Sequence, residues 1–393
     1  MNAPIDIWKR LASPECEGLR AAARETDPSD VAAVTRLRKK HDAELVRAAL
    51  HLADARRKLA KKWAGPDLIA DPEGAEMASG SLAAAHKAAR FARIRPGQAV
   101  LDLCCGIGAD AVMLKEAGLV VTALDRDPLR AWMASENAGC VVRTEDAETA
   151  DLADRLFHID PSRRDESGRR ISYDLLTPGP EFLSSLCEGR TGAVKLPPGI
   201  DRGNARSGDT PEPPPGEIEY ISERGKMTQA VLWTGDLAES GVSATALRPD
   251  RGPARLAGEP GMDHECPWAD VESAAWVHTS DPCVERAGLL PALCARAGLA
   301  LAHPGTGLLC AGERAEDEFL NAFRVRAVMP WRREKVRDWL REHDGGLVEI
   351  KTRGKAADTD KEQKALRWKG ETAYTVFVLR FGQAVRAIVT ERG

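Results

Sequence analysis

Hydrophobic positions in the first ninety or so residues follow a helical period. Between 31 and 63, Leu45, Ala49, Leu52, Leu59 and Trp63 fall at offsets of 0, 4, 7, 14 and 18, so the spacing predicts one long amphipathic helix. Gly65-Pro66 ends it. A second helix is expected over about 80–93, carrying His86, Lys87, Arg90 and Arg93. After Pro96-Gly97 the pattern changes. AVLDL (99–103), LVVTALD (119–125), CVVR (140–143), RLFHID (155–160) and AVKL (193–196) are short apolar runs. Helical stretches, ADAVMLKEAG and DPLRAWMASENAG, separate the first three. Strands alternating with helices require crossover connections, which predicts a parallel sheet covered on both faces.

Residues 197–216 hold six prolines and four glycines and read as a loop. EIEYIS (217–222) and QAVLWTG (229–235) are expected to pair as strands. SAAWVHT (273–279) is a further strand and PCVERAGLLPALCARAG (282–298) one helix, giving a small mixed α/β, ferredoxin-like domain over 217–323. The last 70 residues restart as strand, helix, strand, helix, strand, strand. No internal repeat is present. The expected organisation is a helical region over 1–93, an α/β domain over 94–200, a Pro/Gly-rich linker or insertion over 201–216, the small domain over 217–323 and a basic α/β domain over 324–393.

Composition is that of a globular protein, 43% hydrophobic and 30% charged in 393 residues, which excludes wholesale disorder. No apolar run is long enough for a membrane helix, and the N-terminus lacks the pattern of a signal peptide. Nine scattered cysteines without a CxxC predict free thiols in a reducing cytoplasm. The net charge of −4 is unevenly placed. Residues 324–393 hold 17 Lys and Arg against 10 Asp and Glu, and residues 36–63 hold 10 against 3. Two basic modules on an acidic body point to a polyanion partner; solvated helical faces are the other reading.

The chemistry concentrates in Val100-Leu-Asp-Leu-Cys-Cys-Gly-Ile-Gly108. A strand ends in Asp102, then a glycine turn opens a helix, and Gly106 and Gly108 let the backbone approach a ligand. The second strand ends in Asp125, where a carboxylate can accept hydrogen bonds from both hydroxyls of a ribose. Asp110 in the first helical turn disfavours a pyrophosphate and favours a cofactor with a sulfonium and an amino-acid tail. The pattern resembles motif I of class I S-adenosylmethionine-dependent methyltransferases, which implies a Rossmann-like domain over 94–200. In that reading Asp102 meets the amino-acid end of the cofactor, directly or through water, with Cys104, Gly106, Gly108, Asp125 and Arg126 around it. Asp146, in Thr144-Glu-Asp-Ala147, is placed either on the adenine amino group or as a helix N-cap.

The fourth strand ends in Asp160-Pro161-Ser162-Arg163, similar to the Asp-Pro-Pro-Tyr signatures of nucleic-acid methyltransferases. The resemblance implies that Asp160 and the carbonyl of Pro161 orient a base amine toward the methyl group, with Ser162 and Arg163 in place of the second proline and the stacking aromatic; a turn-forming Asp-Pro is the competing reading. The fifth strand offers no cysteine for attack on a base carbon.

Taken whole, the chain resembles a bacterial methyltransferase family with a THUMP-like C-terminal domain. Asp102-Leu-Cys-Cys-Gly-Ile-Gly, Asp160-Pro-Ser-Arg-Arg, Val194-Lys-Leu-Pro-Pro-Gly-Ile-Asp201, Asp281-Pro-Cys-Val-Glu-Arg-Ala-Gly288 and Leu347-Val-Glu-Ile-Lys-Thr-Arg-Gly354 carry the likeness. It implies S-adenosylmethionine as cofactor and an RNA substrate, tRNA or rRNA, methylated on a base nitrogen. A small-molecule or protein methyltransferase, or a binding protein that has lost catalysis, are the alternatives. No metal is expected: His264, Cys266, His278, Asp281 and Cys283 match no common zinc spacing. Trp331 and Trp368, amid basic residues, are candidates for stacking on a base. His86 and Arg90 are expected at the surface rather than at the cofactor mouth.

Overall fold

The computed structural model describes residues 3–152, 155–163, 173–200, 211–258, 267–303, 305–354 and 356–393. The chain forms two compact units: Met1–Glu223 with Thr228–Ser240 and Leu247–Pro253, and Arg224–Met227 with Gly241–Ala246 and Ala254–Gly393.

The first unit begins with α1 (Ile5–Ala12), α2 (Glu17–Arg24), α3 (Val31–Arg38), α4 (Ala43–Leu59), α5 (Pro72–Met77) and α6 (Ser81–Ile94). The long helix expected over 31–63 is two. Asp42 accepts hydrogen bonds from the Glu44 and Leu45 amides and so starts α4 afresh. The predicted stripe is real: Leu45, Ala49, Leu52, Leu59 and Trp63 are all buried. They share a core with Trp8, Leu19, Val100, Val121, Met133 and Trp233, so the N-terminal helices complete the α/β body. Each such leucine contributes about 1.5–3 kcal/mol on burial.

That body runs β1 (Ala99–Leu103), α7 (Ala109–Glu116), β2 (Val120–Asp125), α8 (Pro128–Ala138), β3 (Val141–Thr144) and β4 (Leu156–Ile159). The short pair β5 (Ser162–Arg163) and β6 (Leu176–Thr177) follows, then α9 (Pro180–Cys187), β7 (Gly192–Leu196), β8 (Glu217–Glu223) and β9 (Lys226–Thr234). The sheet order β8-β9-β7-β4-β1-β2-β3 contains a parallel run from β7 to β3, with β9 antiparallel to β7. The chain winds outward from β1 through β2 to β3, then restarts on the other side with β4. The order therefore reverses between β1 and β4, and ligands of such sheets bind at the carboxyl ends of the strands there.

The domain expected over 217–323 does not exist as a separate body. β8 and most of β9 extend the first unit's sheet through pairing of β9 with β7. A hairpin follows, of β10 (Val242–Arg248) and β11 (Arg251–Gly258). Residues from Ala254 onward belong to the second unit. Of the linker, 201–210 lie outside the described residues, and 211–216 form no element.

The second unit contains β12 (Trp276–Ser280), α10 (Pro282–Arg286), α11 (Leu290–Ala297), β13 (Ala300–Leu301), β14 (Leu308–Ala311) and β15 (Leu320–Pro330). It continues with α12 (Arg333–Glu342), β16 (Gly345–Thr352), α13 (Thr359–Leu366), β17 (Thr372–Phe381) and β18 (Ala384–Arg392). The helix expected over 282–298 breaks at Gly288, which has φ +70°, ahead of Pro291. The sheet order is β13-β14-β12-β15-β18-β17-β16, so the C-terminal strands share one sheet with β12 to β14. Alternation along β17 sends Val376 and Val378 to a core with Val336, Leu340 and Leu366 of the helices, and Phe377 and Leu379 to a core with Phe323 and Leu308.

Arg90, expected at the surface, is 4% exposed. Its guanidinium pairs with Glu217 and lies 4.4 Å from the centre of the Trp233 ring, while His86 Nε2 is 2.9 Å from Glu219 Oε1. The two residues fasten α6 to β8. Part of the 36–63 charge is neutralised internally: Arg56 pairs with Asp67 at 3.3 Å, and Arg57 and Lys58 pair with Asp54 at 3.7 Å. Arg36, Arg38, Lys39 and Lys40 remain exposed.

Candidate active site

β1 and β4 are adjacent in register, with Asp102 opposite His158. The loop after β1 enters left-handed backbone at Cys104 (φ 56°), Gly106 (φ 56°) and Gly108 (φ 80°). The two glycines serve different needs. A Cβ on Gly108 would stand 2.9 Å from Ala134 Cα, so this glycine lets the loop lie against α8. A Cβ on Gly106 meets nothing within 4 Å. That open side is where a ligand can approach the backbone.

Asp125 closes the loop from β2. Its Oδ2 accepts the Gly106 amide and its Oδ1 the Asp127 amide, each at 2.9 Å, which leaves lone pairs on both oxygens for ribose hydroxyls. Burial pushes its carboxyl above the usual value. Arg126 beside it is exposed. Asp146 is half-buried and caps a turn, its Oδ1 accepting the Glu148 amide at 3.0 Å; no helix starts there. Burial pushes the Cys104 thiol well up, and Asp125, Asp160, Asp102 and Asp146 around it push the same way. Burial also raises Cys105. A thiol held in its protonated form is a poor nucleophile, so this environment disfavours a nucleophilic role for either. The carboxylates converging on this loop favour a cationic ligand.

Asp102 is fully buried, with Oδ1 2.7 Å from His158 Nδ1. The carboxylate thus lies under the loop, on the imidazole, rather than open to a direct contact. Its Oδ2 has no hydrogen-bond partner among the described residues, and burial raises its carboxyl. His158 Nε2 faces Lys87 Nζ at 3.0 Å, and Lys87 lies 2.7 Å from Asp110 Oδ1. A carboxylate accepts and an ammonium donates, which assigns the imidazole proton to Nδ1. Asp110 Oδ2 accepts from Ser79 Oγ at 2.7 Å. Burial works against the Asp110 charge, but the ammonium groups of Lys87 and Lys195 outweigh it and hold the carboxyl well below the usual range. Lys195 Nζ is 3.3 Å from Ser79 Oγ and 2.5 Å from Asp160 Oδ2. A continuous polar chain therefore runs from Asp102 beneath the glycine loop to Asp160 at the end of β4.

Asp160 has a side chain 27% exposed. Pro161 is buried, and Ser162 Oγ donates to the Thr177 carbonyl at 3.3 Å, so Ser162 is tied into the β5–β6 pair. Arg163 pairs through its backbone with Leu176, and its side chain lies outside the description.

The structure thus brings Asp102, Cys104, Gly106, Asp125, Asp146 and Asp160 to one end of the sheet. Sequence reasoning passed over Lys87, Lys195, Ser79 and Asn137. Asn137 locks the loop by donating to the Ile107 carbonyl at 2.8 Å and the Ile69 carbonyl at 2.9 Å. A signal existed for the lysines. Lys87 sits on the buried stripe of Ala83, Ala84, Ala88 and Phe91, and Lys195 interrupts an apolar strand.

His278, from the rejected zinc set, is buried, with Nε2 accepting from the Ala315 amide at 3.1 Å. His264 and Cys266 lie outside the described residues. Among the described residues no three His, Cys, Asp or Glu converge as metal ligands, and no helix is long and apolar enough to cross a membrane.

A doubly wound sheet with a glycine turn after β1, an acid closing β2 and an Asp-Pro loop after β4 defines the class I methyltransferase architecture. Comparison agrees. A crystal structure of a proposed methyltransferase from Porphyromonas gingivalis W83 superposes with a TM-score of 0.73 at 17% identity, over 96% of this chain and 98% of that one, and shows the same fold. Residues 320–392 match the THUMP domain-like family, and residues 5–58 match a domain of unknown function. An uncharacterised S-adenosylmethionine-dependent methyltransferase of Mycobacterium tuberculosis, found in strains H37Rv and CDC 1551, is 33% identical over 325 residues, covering 81% of this chain and 86% of the relative. The chain belongs to this family of S-adenosylmethionine-dependent methyltransferases, with a THUMP-like domain at its C-terminus.

Proposed function

We propose that the protein methylates a base nitrogen in RNA, tRNA or rRNA, in the cytoplasm. The observation that carries the reading is the Asp160 carboxylate, partly open at the end of β4, in a chain that also carries a THUMP-like segment. When bound, S-adenosylmethionine supplies an activated methyl group. The open face of Gly106 and the lone pairs of Asp125 suit its nucleoside, and the surrounding carboxylates suit its positive charge. We assign Cys104, Arg126 and Asp146 to the wall of that site, Gly108 to the packing that shapes the loop, and Asp102 to its floor.

Asp160 accepts an N–H of the base amine through Oδ1, turns the nitrogen lone pair toward the methyl group, and takes the proton that nitrogen sheds. Pro161 fixes the loop. Ser162 and Arg163 border the target. Transfer of an already activated methyl group to the nitrogen, with its bond to sulfur breaking as the new bond forms, depends chiefly on such positioning. Exposed Arg332, Lys335 and Arg341, and Trp368, 49% exposed with Arg341 stacked 4.0 Å from its ring centre, suit a polyanion carrying unpaired bases. The free thiols among the described residues fit a reducing compartment.

The test is mass spectrometry of RNA nucleosides from a deletion strain, followed by incubation of that RNA with purified protein and S-adenosylmethionine. A methylated nucleoside missing from the strain and restored in vitro supports the proposal. An unchanged nucleoside profile overturns it and leaves a small-molecule or protein substrate.

A further inference from the structure

Lys195 lies within β7, in a strand otherwise made of Gly192, Ala193, Val194 and Leu196. A charged residue there carries a desolvation cost that a surface lysine does not. Its side chain is 14% exposed, and its ammonium lies 2.5 Å from Asp160 Oδ2 and 3.3 Å from Ser79 Oγ. Asp160 Oδ1 has no hydrogen-bond partner among the described residues. Ser79 is bound in turn to Asp110, which pairs with Lys87, and Lys87 meets His158 on Asp102.

We propose that Lys195 is a positioning residue for methyl transfer. By holding Oδ2 it fixes the carboxylate plane and presents Oδ1 to the acceptor amine, and Ser79 anchors the ammonium to the polar chain beneath the cofactor loop. The proposal rests on the assignment of Asp160 to the acceptor. Three features support it. Lys195 touches one oxygen of Asp160 and leaves the other open. A carboxylate on a partly exposed loop needs such a partner to keep one orientation. The neighbouring cation, Lys62, is occupied elsewhere, donating to the carbonyls of Glu76 at 2.7 Å and Ala78 at 2.5 Å.

The experiment measures methyl incorporation by the full-length protein into RNA from the deletion strain, with S-adenosylmethionine affinity measured by calorimetry. Lys195→Met should lower kcat about 100-fold, the scale of a misplacement of roughly 1 Å at a reacting group, with cofactor affinity and the KM for RNA unchanged. Lys195→Arg, which keeps a cation of different shape, should regain part of the loss. Ser79→Ala, a milder change, should fall between wild type and Lys195→Met. A general folding defect would lower cofactor affinity as well, and that result overturns the positioning role. So does wild-type kcat in Lys195→Met, or in Ser79→Ala for the anchoring. If the wild-type protein transfers no methyl group to RNA, the functional reading fails and the proposal falls with it; the wild-type control separates the two failures.

Discussion

Lys87→Met probes the polar chain at its most buried point. The Lys87 side chain is 1% exposed, with Nζ 2.7 Å from Asp110 Oδ1 and 3.0 Å from His158 Nε2. Methionine keeps the length and the apolar stem but removes both interactions. Two effects oppose each other. The variant no longer has to desolvate an ammonium, which favours it by several kcal/mol. Against this, Asp110, 7% exposed, stays as a buried carboxylate held by Ser79 at 2.7 Å and without its ion pair. Breaking one side of a buried pair costs about 3–5 kcal/mol net, because the remaining charge cannot reach water. The expected loss of about 3–5 kcal/mol is a large share of the roughly 5–15 kcal/mol that holds a domain folded. The double variant Lys87→Met/Asp110→Asn removes both charges of the pair and should recover about 2 kcal/mol relative to the sum of the single changes. Urea denaturation at neutral pH, followed by circular dichroism, gives all three values. A single-variant loss under about 1 kcal/mol, the level of an exposed ion pair, refutes the reasoning, and so does strict additivity in the double variant.

Asp125→Ala should weaken S-adenosylmethionine binding by about 1.5–3 kcal/mol, the range for hydrogen bonds to a charged group, and calorimetry showing wild-type affinity would sink the ribose assignment. Asp160→Ala should abolish methyl transfer while preserving cofactor affinity; normal turnover would make the Asp-Pro loop purely structural. His278 is fully buried, and burial brings its imidazole down from 6.5 to about 4. The unfolded chain takes up a proton at higher pH than the folded one, so stability falls as pH drops through that window, by about 3 kcal/mol, and His278→Gln should flatten the fall. Denaturation midpoints at pH 7 and about pH 4.5 that drop equally in both proteins contradict this. Replacing Arg332, Lys335 and Arg341 together by serine should make the salt dependence of RNA binding shallower by about 2 in log–log slope, at roughly 0.7 per phosphate contact. Filter binding of bulk tRNA and rRNA tests this, and an unchanged slope removes these residues from the interface. Point substitutions are preferable to truncation at 324, which would cut through β15 and remove its partner β18.

Much of this protein is set locally and could be read along the chain. The alternation of apolar strands with helices, the glycine turn after Asp102, the acid ending β2 and the Asp-Pro after β4 are short-range patterns. Backbone conformation and the carboxyl ends of parallel strands follow from them directly. The C-terminal order of strands and helices was legible for the same reason. Helix ends were less so, because a single Asp42 cap or Gly288 turn overrides a stripe that continues across it. Only the tertiary structure decided which strands share a sheet. Pairing of β9 with β7 and of β15 with β12 joins segments far apart in sequence, and no local pattern encodes a partner. The same holds for the charges. Lys87 and Lys195 interrupt apolar patterns in the sequence, but nothing along the chain names their partners; the fold pairs Lys87 and Arg90 with Asp110 and Glu217 in the interior, and Lys195 with Asp160 at its half-buried edge. Burial turns a solvated charge into a fixed one, and burial is a property of the assembled core rather than of any stretch of the chain.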